Sequence, residues 1–331
     1  MPISATYQPN APTAKTGQGS AISNREDLSN ELAILAPEET PILSLCSKGK
    51  ASATYTEWTV DSLAAPVTSG ISEGSDVTSF SDKFADRARL GNYIQVMRRD
   101  YLVSNLQQAV TSIGPANIAQ AEAKSMRELK RDIEATIASS NEMSVENGAG
   151  TPYGMRGLGT WVQAAAQATN PVPAAYRTPS GSILATTVTE TTFNSMLGSI
   201  FSRNGEMNSL TLVANTALRQ VISGFTRAQP SSAGVTYHVN QDATSKAITL
   251  SVNLYDSDFG IVKIVNGNPA CMPTATTQVG YVINPKYLGF NTLIPMGATR
   301  LENQGGGERG FIDVAGTLVC KHPQAHGKIA Y

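Results

Sequence analysis

The apolar positions of the chain form strand-like runs, helical stripes and one long stretch with few large apolar side chains. Residues 51–60 (ASATYTEWTV) are rich in Thr and aromatic residues and have the composition of a strand. Residues 90–103 (LGNYIQVMRRDYLV) form a second strand-like run, and the residues between are mostly Ser, Gly, Asp, Thr and Ala. So long a loop is typical of a functional segment or of one held by something outside its domain. The pattern predicts an extended arm that reaches a neighbouring molecule.

A helical stripe follows over residues 116–139. Its apolar face consists of Met126, Leu129, Ile133 and Ile137. This spacing predicts one long helix that packs on a core along a single face. The other positions carry balanced charges, and their spacing predicts that Lys124 pairs with Glu128 and that Lys130 pairs with Glu134. The mixed charges favour a solvated outer face over a surface that binds nucleic acid.

The N-terminal residues form an arm, a short helix and an apolar patch. Residues 1–25 are rich in Pro, Thr, Gly and Ser, so we expect an arm that orders only against neighbouring molecules. Residues 26–35 (EDLSNELAIL) place three leucines on one face, which predicts a short amphipathic helix that Pro37 ends. Residues 41–45 (PILSL) are predicted to anchor the chain through apolar contacts.

The second half of the chain alternates between helical and strand patterns. Residues 160–182 are low in pattern and predict a linker between domains. Two helices are predicted, at 189–203, ended by Gly205, and after Asn215 as the N-terminal cap. The apolar faces of these helices consist of Phe193, Leu197, Ile200 and Phe201, and of Leu218, Val221, Ile222 and Phe225. Strands are predicted at 209–214, 248–254, 261–265, 279–283 and 311–320. This half therefore predicts a second, α/β domain.

Composition narrows the possible functions. Of the 331 residues, 41% are hydrophobic but only 15% are charged, which suits a subunit that covers its surface with copies of itself. A net charge of −1 argues against a protein that wraps nucleic acid through a basic stripe. Three widely separated cysteines suggest no disulfide framework and fit a reducing cytoplasm. The sequence shows no signal peptide and no apolar run of membrane-spanning length.

Several short motifs resemble sites of known chemistry. His322 and His326, with Cys320 nearby, have the spacing of a zinc half-site, but Pro323 disfavours a helix there and predicts a polar turn. Residues 256–260 (DSDFG) lack the companions of a kinase or calcium site and predict a turn. Residues 305–307 (GGG) lack the lysine of a phosphate loop and predict a bend or a close subunit contact. No catalytic serine set can be assembled around the three histidines, which include His238. We therefore predict no catalytic, cofactor-binding or metal site and no cofactor.

One basic cluster stands out. It consists of Arg87, Arg89, Arg98 and Arg99. These arginines fit either a solvated strand edge that blocks unwanted pairing or a set of salt bridges between subunits. Contact with DNA is a third alternative.

The order and wording of these parts resemble a known family. The segments that carry the resemblance are EDLSNELAILAPEETPILSL, YTEWTVDSL, SEG at residues 72–74, NYIQVMRRDYLVS, AKSMRELKRDIEATI and HPQAHGKI. From about Arg25 to Ile329 the chain resembles the major capsid proteins of tailed bacteriophages, with the Hong Kong 97-type shell fold. The resemblance implies an α+β capsid fold with an N-terminal arm, an extended β-hairpin loop, a peripheral domain with a long spine helix, and an axial α/β domain.

The resemblance also implies domain limits and partners. It divides the chain into an arm at 1–50, an extended loop at 51–100, a peripheral domain at 101–184, an axial domain at 185–285 and return strands at 286–331. It implies pentamers and hexamers of an icosahedral head around double-stranded DNA, a portal, and scaffolding or decoration proteins, with assembly in the host cytoplasm. An encapsulin-type bacterial compartment shell is the alternative.

The sequence departs from the family's founding pattern at two points. Only a short segment precedes the extended loop, so we expect any scaffold to be a separate protein. Cross-linking between subunits, known in part of the family, needs a lysine on this loop. Lys83 is the one lysine in 51–99. A single lysine does not predict cross-linking.

Overall fold

The computed structural model describes residues 39–110, 117–205, 209–225, 253–273 and 278–331. The predicted arm at 1–25, the helix predicted at 26–35, most of the strand predicted at 248–254, and His238 lie outside these residues.

The described residues combine helices with three sheets. The helices are α1 Pro41–Leu45, α2 Asn105–Ala109, α3 Ile118–Ala138, α4 Leu158–Trp161, α5 Glu190–Asn204 and α6 Thr216–Phe225. The strands are β1 Ser47–Lys50, β2 Tyr55–Val60, β3 Ala88–Tyr93, β4 Gln95–Val103, β5 Ile183–Leu184, β6 Thr211–Ala214, β7 Leu254–Ser257, β8 Gly260–Asn266, β9 Val279–Ile283, β10 Leu288–Leu301, β11 Glu308–Cys320 and β12 Gly327–Ala330.

The strand-like run at 90–103 is two strands that serve different sheets. β3 pairs with β2 as an antiparallel two-stranded arm, in which Trp58 lies opposite Leu90. β4 pairs with β11 over nine residue pairs in a four-stranded sheet of order β1-β10-β11-β4. Only Ile94 separates β3 from β4. The sequence prediction of one continuous strand is therefore wrong, because the pairing partner changes at this residue.

Helix α3 packs against the four-stranded sheet. Its predicted stripe is confirmed, since Leu129, Ile133 and Ile137 are buried and Met126 packs against the same core. The side chain of Asn117 accepts a hydrogen bond from the Gln120 backbone N–H and caps the helix start. The core that α3 shares with the sheet also includes Phe290, Ile312, Val314 and Leu318.

A six-stranded sheet of order β5-β12-β9-β6-β8-β7 joins two cores. Every residue of β6 and β9 is buried, which is typical of strands covered on both faces. Tyr281 and Ile283 of β9 belong to the core of α3, whereas Val282 packs with helices α5 and α6. The two parts of the subunit therefore share one sheet.

The predicted stop of α5 at Gly205 and the predicted cap of α6 at Asn215 are both confirmed. Thr189 caps α5 through a reciprocal capping box with Thr192, and Gly205 ends the helix with φ 66°. The Asn215 side chain accepts a hydrogen bond from the Leu218 backbone N–H at 2.9 Å and caps α6. One position of the predicted apolar face differs: Phe201 is 38% exposed and contacts the Phe259 ring instead.

One sequence prediction is wrong, and one strand was not predicted. The segment at 160–182 is no free linker, because Trp161, Val172 and Tyr176 are buried in the α3 core. Strand β10 was missed because Gly289, Pro295 and Gly297 interrupt its apolar pattern and its register shifts twice.

Glu134 also departs from its predicted role. The predicted pair of Lys124 with Glu128 is present at 3.9 Å. Glu134, however, is buried, and its two carboxylate oxygens accept the backbone N–H groups of Ile42 and Leu43 at 2.8 Å each. Burial raises the pKa of this carboxyl, and the two N–H groups oppose that rise. Glu134 thus joins α1 to α3 instead of pairing with Lys130.

This contact gives a stability prediction. We expect Glu134→Gln to lower the free energy of unfolding by about 1–3 kcal/mol, because the Gln side chain offers one acceptor oxygen and one of the two buried N–H groups loses its partner. Glu128→Gln on the same helix is the matched control and should change it by under about 1 kcal/mol, since its ion pair is exposed. Chemical denaturation of both variants measures the difference; equal losses would contradict the assigned role.

Candidate assembly surface

The root of the two-stranded arm is fixed to the body by aromatic rings. The Trp58 ring of β2 lies 5.5 Å from the Trp161 ring, which is fully buried. The guanidinium carbon of Arg156 lies 4.7 Å from the centre of the Trp161 ring, and its Nε donates to Glu142 at 2.6 Å. These contacts hold the arm root at a set angle to the subunit.

Buried polar contacts add to this attachment. The Asn92 side chain of β3 donates to the Leu318 carbonyl at 2.9 Å and accepts the Arg156 N–H at 2.8 Å. The Tyr176 hydroxyl donates to the Asp86 carbonyl at 2.5 Å. Sequence reasoning missed Asn92 and Tyr176, because their partners lie at least 64 residues away and no local spacing marks them.

Beyond the root, residues 61–87 form an exposed segment that we call the distal loop. All of its residues are exposed, and 61–87 contains no strand or helix. Its large apolar side chains are Leu63 (99% exposed), Val67 (83%), Ile71 (87%), Val77 (69%), Phe80 (90%) and Phe84 (61%). So many apolar groups on one exposed segment are typical of an interaction surface. Lys83 lies on the same loop and is exposed.

The four arginines of the basic cluster each pair with a carboxylate of the same chain. The pairs are Arg87 with Asp61 (2.8 Å), Arg89 with Glu57 (3.5 Å), Arg98 with Asp313 (3.4 Å) and Arg99 with Asp132 (2.6 Å). Arg98 and Arg99 lie on β4, an edge strand of the four-stranded sheet. These positions fit the solvated-edge interpretation. A role in salt bridges between subunits stays a prediction.

The histidine motif forms a packed turn. Pro323–Ala325 makes a short 3-10 turn between β11 and β12. His326 is fully buried and accepts the Asn284 backbone N–H at 3.2 Å through Nδ1, and burial lowers its pKa to about 4. The turn was predicted correctly. It was also predicted to be polar, and this is wrong at His326, which is buried. Within the described residues, no group of three or more His, Cys, Asp or Glu side chains is placed to hold a metal ion.

Two glycine motifs make turns. Asp258 and Phe259 lie in the turn between β7 and β8, and Gly260 has φ 138°. Gly307 follows the turn between β10 and β11 with φ 140°, and a side chain there would meet the Val103 carbonyl at 2.4 Å. Both motifs therefore serve chain reversal, as predicted.

The three cysteines are buried and unbonded, which agrees with the absence of a disulfide framework. In the part of the chain that the structure describes, no helix is both long and apolar enough to cross a membrane.

Comparison with known protein families and solved structures shows what this chain is similar to. The family model described as SU10 major capsid protein matches residues 11–331. No curated protein sequence shows a significant match.

Solved structures match over nearly the whole chain. The capsid of cyanophage P-SCSP1u matches with a TM-score of 0.61 and 13% identity, covering 98% of this chain and 99% of that one. Gordonia phage Cozz matches with a TM-score of 0.58 and 14% identity, covering 97% and 96%. The capsid of a native gene transfer agent particle matches with a TM-score of 0.59 and 11% identity, covering 97% and 99%. At such low identities these matches establish the fold alone.

Proposed function

The chain belongs to the SU10 major capsid protein family, and we propose that its copies form the pentamers and hexamers of an icosahedral head. The Hong Kong 97-like α+β fold is confirmed by the matched capsids of phages and of a gene transfer agent. The family is structural, which confirms the predictions of a major capsid protein and of a chain that is not an enzyme. The encapsulin alternative is not favoured, because both the family and these structures are capsids.

The distal loop is the observation that carries the proposed assembly. Burying one large apolar side chain contributes about 1.5–3 kcal/mol, and the loop exposes six of them. Much of that free energy is offset by the conformational entropy of the loop and the translational and rotational entropy of the subunits that are lost on association. Each contact between two copies can therefore be weak, since a closed shell repeats it many times.

We also propose the domain division that the sequence indicates. The arm is 1–50, the extended loop 51–100, the peripheral domain 101–184, the axial domain 185–285 and the return strands 286–331. The two cores support this division, because helices α5 and α6 pack with one another and apart from α3. The limit at 100 falls within β4, so Ile94 is a better end for the extended loop.

The remaining partners are proposals of the same kind. The proposed head encloses double-stranded DNA, and we expect only non-specific contact with it, because a net charge of −1 supplies no basic stripe. A portal and a scaffolding or decoration protein are further proposed partners, and assembly in the host cytoplasm fits three unbonded cysteines.

Electron microscopy of the purified full chain tests the proposal. We expect closed shells, or rings of five and six subunits. The particle masses measured by light scattering should match the number of subunits seen in the images. Protein that stays monomeric at high concentration, both alone and when co-produced with the other head proteins, would contradict the proposed assembly.

A further inference from the structure

The chain contains three Asn-Gly pairs, and the structure places them in different settings. They are Asn147-Gly148, Asn204-Gly205 and Asn266-Gly267. At such a pair the backbone nitrogen of the glycine can attack the side-chain amide carbon of the asparagine, because glycine has no side chain to hinder the approach. In a folded protein the attack depends on whether that nitrogen is free and on whether the amide carbon is held near it.

Two of the three glycine nitrogens are held in backbone hydrogen bonds. Gly205 ends α5, and its N–H donates to the Phe201 carbonyl at 2.8 Å. Gly267 follows β8, and its N–H donates to the Ala214 carbonyl at 2.8 Å. Attack by either nitrogen would first break this hydrogen bond and distort a helix end or a sheet connection. The fold therefore protects both of these pairs.

The third pair lies on an exposed turn. Residues 145–152 are exposed, and two backbone hydrogen bonds between Ser144 and Gly154, at 3.1 Å each, close the base of the turn. The Gly148 N–H donates no hydrogen bond to any residue that the structure describes. Because Gly148 is also exposed, hydroxide from the solvent can remove this proton and leave the nitrogen as the attacking anion.

The Asn147 side chain is folded over this nitrogen. Its Oδ1 accepts the Ala149 N–H at 3.0 Å and the Thr151 N–H at 3.3 Å. An asparagine that accepts the N–H two residues later folds its amide group over the intervening peptide, which here is that of Gly148. Attack at Cγ turns Oδ1 into an oxyanion, and two N–H groups already point at the atom that takes the charge. The turn therefore supplies both the approach and the charge stabilisation that the reaction needs.

We propose that Asn147 is a site of self-modification, at which the folded chain converts asparagine to aspartate and isoaspartate. The Gly148 nitrogen loses its proton to hydroxide and forms a bond to Cγ, and the Cγ–Nδ2 bond breaks. Nδ2 takes a proton from water and leaves as ammonia, and a cyclic imide remains between the two residues. Water then opens the imide at either carbonyl, so that one water is consumed and one carboxylate is gained. The new charge lies beside Glu146 on the exposed turn.

Incubation of the purified full chain in water enriched in heavy oxygen tests the inference. Oxygen from this water enters the side chain when the imide is hydrolysed, which separates conversion during the incubation from conversion during a later digestion in ordinary water. Mass spectrometry then measures the labelled fraction at each of the three Asn-Gly pairs, and an isoaspartate-specific methyltransferase detects the second product. The same incubation in denaturant is the matched control, because unfolding frees all three pairs.

We expect labelling at Asn147 of the folded chain to exceed labelling at Asn204 and Asn266 by about tenfold or more, which is within the contribution of one preorganised donor. Labelling at Asn147 should rise with pH, because the attacking nitrogen must lose its proton, and it should be slower in denaturant. Equal labelling of the three pairs in the folded chain overturns the inference. So does faster labelling of Asn147 in denaturant, since the hydrogen bonds to Oδ1 would then protect the amide.

A pair of variants provides a second measurement. Asn147→Gln moves the amide one methylene farther from the Gly148 nitrogen and should abolish the label in this peptide. Asn266→Gln, also at an exposed position, should leave it unchanged. A label that persists in Asn147→Gln would come from another residue and would overturn the inference. The reaction needs no assembled shell, so its outcome is independent of the proposed function.

Discussion

Replacement of residues 62–85 by a short Gly-Ser linker, which keeps the Asp86 carbonyl that Tyr176 binds, is expected to abolish shell formation while leaving a folded subunit. The deleted residues are all exposed and belong to neither core, so their loss removes no packing from the subunit. The linker keeps Asp61 and Arg87, whose ion pair closes the arm root. Assembly should fail, because the variant lacks the exposed apolar groups that we propose to bind a neighbour.

The measurement combines circular dichroism and thermal unfolding of the subunit with electron microscopy of particles. A second variant keeps the loop length but changes the six apolar side chains to serine. It tests whether assembly needs these apolar side chains or only a loop of this length. We expect both variants to remain soluble and to melt as the unaltered subunit does. Normal heads from either variant would contradict the proposed role of the distal loop.

Leu129→Ala in helix α3 is expected to lower the free energy of unfolding by about 2–5 kcal/mol. Leu129 is fully buried in the core between α3 and the four-stranded sheet, so truncation loses burial and leaves a cavity. The adjacent Lys130 is exposed, and Lys130→Glu should change that free energy by less than about 1 kcal/mol.

Thermal or chemical unfolding of the isolated subunit compares the two variants. Because they change neighbouring residues of one helix, differences in expression or helix propensity are small beside the packing effect. A neutral Leu129→Ala together with an unfolding Lys130→Glu would mean that the opposite face of α3 is buried. The outer surface of this part of the subunit would then need to be assigned again.

Local patterns predicted the parts of the fold that depend on neighbouring residues. The stripe of α3, the cap at Asn215 and the stop at Gly205 all follow from spacing within one or two helical turns. The exposed distal loop was also predictable, because its composition cannot form a core.

Features that depend on distant partners escaped prediction. Glu134 has the spacing of a surface ion pair, yet its acceptors meet backbone groups 91 and 92 residues away. Strand β10 carries a proline and two glycines and is held by β11 and, at its start, by β1. A groove lined by residues 61–63, 174–180 and 202–204, together with Ala164, Tyr287 and the turn at 322–325, is assembled from six separate stretches of chain, so no motif marks it.

The way β3 continues into β4 has a mechanical consequence. The backbone hydrogen bonds between β4 and β11 begin after Ile94. Two side-chain hydrogen bonds continue this contact on the β3 side of Ile94: Thr317 donates to the Tyr93 carbonyl, and Asn92 donates to the Leu318 carbonyl. A pull on the arm along these strands therefore loads the bonds of the β4–β11 ladder together, in shear, instead of opening them one by one. Tension applied to the arm would therefore spread over the whole β4–β11 ladder and into the four-stranded sheet, so the arm resists being peeled from the subunit.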